Sequence, residues 1–190
     1  MQEPRPFLIG GLWQHGETVA PVNNPFTGRL LAEVSNAGSA DAETAIQSTV
    51  EAAVAMGALP SHARYHALQK IAGGLYDRRE EFARLLTAEA GKPITDAKRE
   101  VNRAVQTFTI AAEEARRIPG EVIPLDWTPG TDSHLGILRR VPIGPVLGIT
   151  PFNFPLNLVA HKVAPALAAG NSILIKPAPQ TPLTALLLGE

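Results

Sequence analysis

The sequence predicts an α/β protein in which a long helical segment leads into the first units of a parallel sheet, and three observations carry that prediction. Apolar residues recur at helical spacing in four successive stretches between residues 39 and 117. Two uninterrupted apolar runs of strand length follow, residues 146–150 (VLGIT) and 172–176 (SILIK). Between them lies one more helical stripe, and strand, helix and strand in that space make a right-handed crossover with parallel strands.

The elements follow in order. Residues 7–35 are punctuated by Gly10-Gly11, His15-Gly16, Asn23-Asn24-Pro25 and Thr27-Gly28, which stop any helix and predict small hairpins. Leu30, Ala32 and Val34 alternate with Leu31, Glu33 and Ser35 as a strand would. The first helix is expected to be capped by Ser39, with a buried stripe of Ala42, Ala45, Ile46, Val50, Ala53 and Val54. A second starts after Pro60 with Ser61 as cap and Leu68, Ile71, Ala72 and Leu75 inward. Phe82, Leu85, Leu86 and Glu89 form a third stripe, closed by Gly91-Lys92-Pro93. The fourth helix spans about residues 94–117, with Ala97, Val101, Ala104, Val105, Phe108, Ala111, Ala112 and Ala115 facing the core. Pro119-Gly120 ends it, and residues 121–143 read as a two-piece exposed ribbon around a turn at 128–132, its second piece running over 136–141. In the last fifty residues both strands are expected to be buried on both faces. Pro155 should open the helix between them, Gly170 should close it, and Thr181-Pro182 should start the next. The pattern stops at Glu190 with two parallel strands, where such a sheet needs about four to six. The chain is therefore expected either to pair with something else or to be the front part of a longer protein.

Composition removes several function classes. The 190 residues carry 17 Lys+Arg against 18 Asp+Glu, a net charge of -1, so no electrostatic footprint for nucleic acid or an anionic membrane is present. Residues 141–160 are uncharged and long enough for a membrane span, but Pro142, Pro145, Pro151 and Pro155 argue against a lipid-facing helix. The N-terminal MQEPRPFLIGG lacks the layout of a secretory leader, and a cytoplasmic protein is expected. With no cysteine, the chain has no disulfide, thiolate metal site or thiol nucleophile of its own. No metal centre is expected: His62 and His66 have ligand spacing but no third ligand accompanies them. The paired charges Arg78-Arg79, Glu80-Glu81, Glu113-Glu114 and Arg116-Arg117 read as solvated helix surface.

Ligand sites of parallel sheets lie beyond the carboxyl ends of the strands, which points to residues 150–155 and to 176–179. No glycine fingerprint GxGxxG follows either strand, so a dinucleotide would be gripped in another manner. Asn153 has two readings on the residues alone: a polar donor aimed at developing negative charge, or a cap for the helix begun at Pro155.

The run Ile149-Thr150-Pro151-Phe152-Asn153-Phe154-Pro155-Leu156, followed by Lys162-Val163-Ala164-Pro165-Ala166-Leu167-Ala168-Ala169-Gly170-Asn171 and by Lys176-Pro177-Ala178 with Thr181-Pro182, closely resembles the aldehyde dehydrogenase superfamily. Glu89-Ala90-Gly91-Lys92-Pro93 and the four-helix run resemble that family's N-terminal segment, so the likeness covers nearly the whole chain. The wording resembles that of lactaldehyde and non-phosphorylating glyceraldehyde-3-phosphate dehydrogenase-like members, which act on small hydroxylated aldehydes.

The resemblance implies the N-terminal portion of a Rossmann-type fold. Residues 1–122 would be hairpins and helices of the cofactor-binding domain, 123–142 protruding oligomerisation strands, and 143–190 the first βαβα unit. It implies an NAD(P)-dependent enzyme that oxidises a small-molecule aldehyde to a carboxylic acid and is a homo-oligomer in its full-length form. The cysteine nucleophile and the base glutamate lie in a segment this chain does not contain, so the chain alone is expected to be inactive. By resemblance Asn153 is the catalytic oxyanion donor and Lys176 contacts the adenosine ribose. Ile149, Thr150, Pro151, Phe152, Ala178 and Pro179 complete the cofactor side. Phe152 stands where many members carry tryptophan. Pro179 stands where NAD-preferring members have glutamate, which removes a like-charge repulsion against a 2′-phosphate and favours NADP beside NAD. The alternative is a non-catalytic truncated module that binds nucleotide or a partner; a reading frame continuing past Glu190 into a cysteine motif would decide against it. An unrelated flavodoxin-like domain is disfavoured, because the helical half has no place in so small a sheet.

Overall fold

The computed structural model describes residues 3–190; Met1 and Gln2, the start of the stretch read for a leader, lie outside the described residues. Two small hairpins open the chain. Strands β1 (Phe7–Ile9) and β2 (Leu12–Gln14) pair across Gly10-Gly11, and β3 (Thr18–Asn23) pairs antiparallel with β4 (Leu30–Asn36). Arg5 bridges in parallel to Val34 and ties the start of the chain to the second hairpin.

Four helices follow: α1 (Ser39–Ala58), α2 (Ser61–Asp77), α3 (Arg79–Ala90) and α4 (Ile94–Ala115). Two caps differ from expectation. Gly38 and Pro60 occupy the N-cap positions, and Ser39 and Ser61 are already helical. At α1 the side chain of Asp41 accepts the Gly38 N–H at 2.8 Å, so a first-turn carboxylate does the work assigned to the serine. The fourth helix stops at Ala115, two residues short of the expected end. Gly91 terminates α3 at φ 68°, where its Cα lies so close to Pro25 that an added Cβ would meet Cγ at 2.8 Å.

The core is built from α2 to α5 (Asn157–Ala168) and α6 (Leu183–Gly189). Leu68, Leu75, Phe82, Leu86, Val101, Phe108 and Leu156 are its largest apolar members. Ala97, Ala104, Ala111 and Ala112 on α4 and Ala160, Ala164 and Ala168 on α5 carry only a methyl group, which lets those helices approach closely. A satellite cluster of Val22, Val34 and Leu183 seats the second hairpin against α3 and α6. The stripe expected on α1 is only partly used: Ala45 is buried, but Ile46 and Val50 are about half exposed and Val54 is 80% exposed. The helical period is present, yet no described element covers that face.

Past α4, β5 (Glu121–Pro124) and β6 (Leu135–Leu138) form an antiparallel ribbon that exposes Val122, Leu135 and Ile137. Its second strand is shorter than the expected 136–141 piece at the far end, and Arg139 and Arg140 lie beyond it. The last segment is the anticipated crossover. Strand β7 (Val146–Ile149), helix α5, strand β8 (Ile173–Lys176) and helix α6 follow one another, with β7 and β8 parallel. Burial of these strands on both faces is not what the structure shows: Leu147 and Ile149 are each 61% exposed. Alternate side chains point to opposite faces, and Leu147 and Ile149 lie on the one opposite the face that α5 covers. On that covered face Gly148 lies so near α5 and β8 that a Cβ would meet Ile175 at 2.6 Å and Lys162 at 3.0 Å. The charged pairs on the helix surfaces do face solvent and link at i,i+3, as in Arg116–Glu113 and Arg117–Glu114. No described helix is long and apolar enough to cross a membrane.

Candidate active site

The parallel register pairs Ile149 with Lys176 at the carboxyl ends of β7 and β8. The Thr150 N–H continues the ladder to the Lys176 carbonyl at 3.1 Å, and only then do the chains part. The loop bearing Pro151, Phe152, Asn153 and Phe154 and the loop bearing Pro177, Ala178 and Pro179 therefore leave from the same end of the sheet. Thr150 and Ala178 are buried and act as footings. Ile149, Pro151, Phe152, Asn153, Lys176 and Pro179 are exposed and line the outer side of that end. Lys176 has no ion-pair partner among the described residues, which leaves its ammonium free for an anionic or hydroxyl-bearing ligand. No group of three or more His, Asp or Glu side chains among the described residues could hold a metal ion.

The two readings of Asn153 are separated by what caps α5. Oε1 of Glu100, a residue of α4, accepts the N–H of Leu156 at 3.0 Å and of Asn157 at 3.1 Å. The helix start is thus satisfied by a buried carboxylate from another helix, and among the described residues none hydrogen-bonds to the Asn153 side chain. Pro155 precedes the regular helix, which begins at Asn157, although the bond from Leu158 N–H to the Phe154 carbonyl already encloses it. A proline there forfeits no donor that the helix uses.

A second carboxylate does the same for α6. Glu89 accepts the N–H of Leu183 at 2.8 Å and of Thr184 at 2.9 Å, and also the Thr184 hydroxyl. Thr181, expected to start that helix, makes no such cap. Neither Glu89 nor Glu100 was singled out from the sequence as a functional carboxylate. The signal available was an acidic residue on an apolar face, as Glu89 is in the third stripe, because a charge there must find partners.

Burial pushes the Glu89 carboxyl above its ordinary value of 4.5; the Thr184 hydroxyl and the two amide donors oppose that shift, and the Glu100 charge adds to it. A raised folded-state pKa means that the native state holds its proton longer than the unfolded chain does. The stabilisation from protonation is present below about pH 4.5 and is lost as pH rises through the folded value. The unfolding free energy of Glu89→Gln, measured in urea at a series of pH values, is therefore expected to gain on the wild type as pH rises from 4.5. Parallel pH slopes for the two proteins would refute this.

The aldehyde dehydrogenase family model matches residues 13–190, and the chain belongs to that family. It is 43% identical over 182 residues to 3-sulfolactaldehyde dehydrogenase of Priestia aryabhattai, covering 96% of this chain and 38% of that protein. Lactaldehyde dehydrogenase of Methanocaldococcus jannaschii is 38% identical over 183 residues, with coverage of 96% and 38%. Among solved structures, aldehyde dehydrogenase 21 of Physcomitrella patens with succinate superposes at TM-score 0.93 and 45% identity, covering 98% of this chain and 39% of that one. The NADP-dependent glyceraldehyde-3-phosphate dehydrogenase of Bacillus halodurans, complexed with NADP, gives TM-score 0.93 and 32% identity, covering 98% and 40%. The chain thus matches the N-terminal part of that fold and spans between 38% and 40% of the length of these proteins.

Proposed function

We propose that this chain is the N-terminal portion of an NAD(P)-dependent aldehyde dehydrogenase that oxidises a small hydroxylated aldehyde to its carboxylic acid. The observation that carries the reading is the parallel pairing of Ile149 with Lys176, which sets the Asn153 loop and the lysine on one end of a sheet. Among the relatives, lactaldehyde and 3-sulfolactaldehyde dehydrogenases support the substrate class.

The residues present fit a dinucleotide. Lys176 offers an unpaired ammonium to the ribose or its 2′-phosphate, and exposed Ile149 and Phe152 offer apolar surface to the nicotinamide side. Pro179 presents no carboxylate to repel a 2′-phosphate, and NADP bound to the Bacillus halodurans structure supports NADP as a cofactor beside NAD. The cofactor, when bound, accepts the hydride. Asn153 holds the substrate oxygen as negative charge develops on it, the role of a preorganised neutral donor. The nucleophile and the base belong to the longer protein, and the exposed apolar faces of β5 and β6 support its assembly as a homo-oligomer.

Titration of the chain with NADP and with NAD tests the cofactor role. NADP is expected to bind at least as tightly as NAD, and Lys176→Ala is expected to weaken NADP about tenfold, the loss of one charge-assisted hydrogen bond. Binding of neither dinucleotide, or binding indifferent to Lys176, would overturn it. In the longer form, lactaldehyde-dependent reduction of NADP tests the activity.

A further inference from the structure

We propose that Lys92 and Glu100 are positioning residues that fix the pose of the loop carrying Asn153; this rests on the reading of Asn153 given above. Residues 151–154 are exposed, and such a loop needs an anchor at each end to present a side chain in one direction. One anchor is Thr150, tied to the end of β8. The other is Glu100, 1% exposed, whose Oε1 gathers the N–H groups of Leu156 and Asn157.

Lys92 joins the two sides. Its ammonium pairs with Oε2 of Glu100 and also donates to the Asn153 carbonyl at 3.2 Å, while lying 4.6 Å from the centre of the Phe154 ring. The carboxylate that seats the helix and the backbone of the oxyanion donor thus share one cation. A held Asn153 carbonyl restrains its peptide plane, and with it the position of the Cα from which the side chain departs. The local sequence explains the placement. The left-handed turn at Gly91 directs Lys92 away from α3, and Glu100 sits on the buried face of α4 in register with Ala97, Val101 and Ala104. The Lys92 side chain is itself only 14% exposed, so the pair is largely shielded from water.

The test has two parts. In the 190-residue chain, Lys92→Met leaves Glu100 its two amide partners, so the fold should survive, and the Asn153 side-chain amide resonances are expected to shift in nuclear magnetic resonance spectra. Glu100→Gln should in addition speed hydrogen exchange at Leu156 and Asn157. In the longer, cysteine-bearing form, Lys92→Met is expected to lower kcat by about tenfold to a hundredfold with KM for NADP unchanged, the pattern of a misplaced reacting group. Lys92→Arg should restore most of it. Unmoved Asn153 resonances in both variants would overturn the proposal, as would an unchanged kcat in an active Lys92→Met enzyme. A shift of those resonances alongside a longer form that oxidises no aldehyde would instead sink the enzymatic reading and leave the clamp standing.

Discussion

Asn153→Ala in a cysteine-bearing longer form is expected to lower kcat by about 10²- to 10³-fold, the usual cost of losing one oxyanion donor. The same substitution should leave the stability of the 190-residue chain within about 0.5 kcal/mol, because the residue is exposed and its side chain bonds to none of the described residues. That combination separates catalysis from capping. A cap lost from α5 would cost about 1 kcal/mol of stability, but the first amides of α5 are held by Glu100. Steady-state kinetics on one form and urea unfolding on the other make the measurement. A destabilised chain with normal turnover would reverse the assignment.

The largest effect on stability is expected at Phe108. It is fully buried on α4 within the main core, and truncation to alanine should cost about 3–5 kcal/mol. Its neighbours along the buried face of that helix, Ala104, Ala111 and Ala112, are too short to close the gap. Against a total of about 5–15 kcal/mol for a domain, such a loss moves the urea midpoint far or abolishes folding. Ile110 on the same helix is 61% exposed and is the control, with Ile110→Ala expected within about 0.5 kcal/mol of wild type. Equal midpoints for the two variants would show that the helix packs by another face.

Much of the architecture was legible because it is local. The turn pairs at Gly10-Gly11 and Gly91-Lys92-Pro93 and the helical stripe of α4 are set by residues a few positions apart, and the expected elements lie there. The parallel crossover was legible because two apolar runs flanking one helix admit few arrangements. What escaped was decided by a competing neighbour or at a distance. Ser39 and Ser61 looked like caps by type, while Asp41 and the backbone geometry of Pro60 settled those ends. The stripe of Ile46, Val50 and Val54 has helical period but no described surface to cover it, and period alone does not say whether a partner exists. For the site, the residues of the two strand-end loops were legible from topology. The partners of the carboxylates behind them were not, because Glu100 meets Leu156 across 56 residues and no local pattern names that partner.

The long reach of those two carboxylates bears on how the chain acquires its shape. The opening turns of α5 and α6 can satisfy their amides from within the protein only after α3 and α4 have docked, since Glu89 bonds Leu183 across 94 residues and Glu100 bonds Leu156 across 56. A polypeptide beginning at residue 143 would carry the crossover's own sequence and still lack its fasteners. The helical half is in this sense an intramolecular template for the end of the sheet where Asn153 and Lys176 stand.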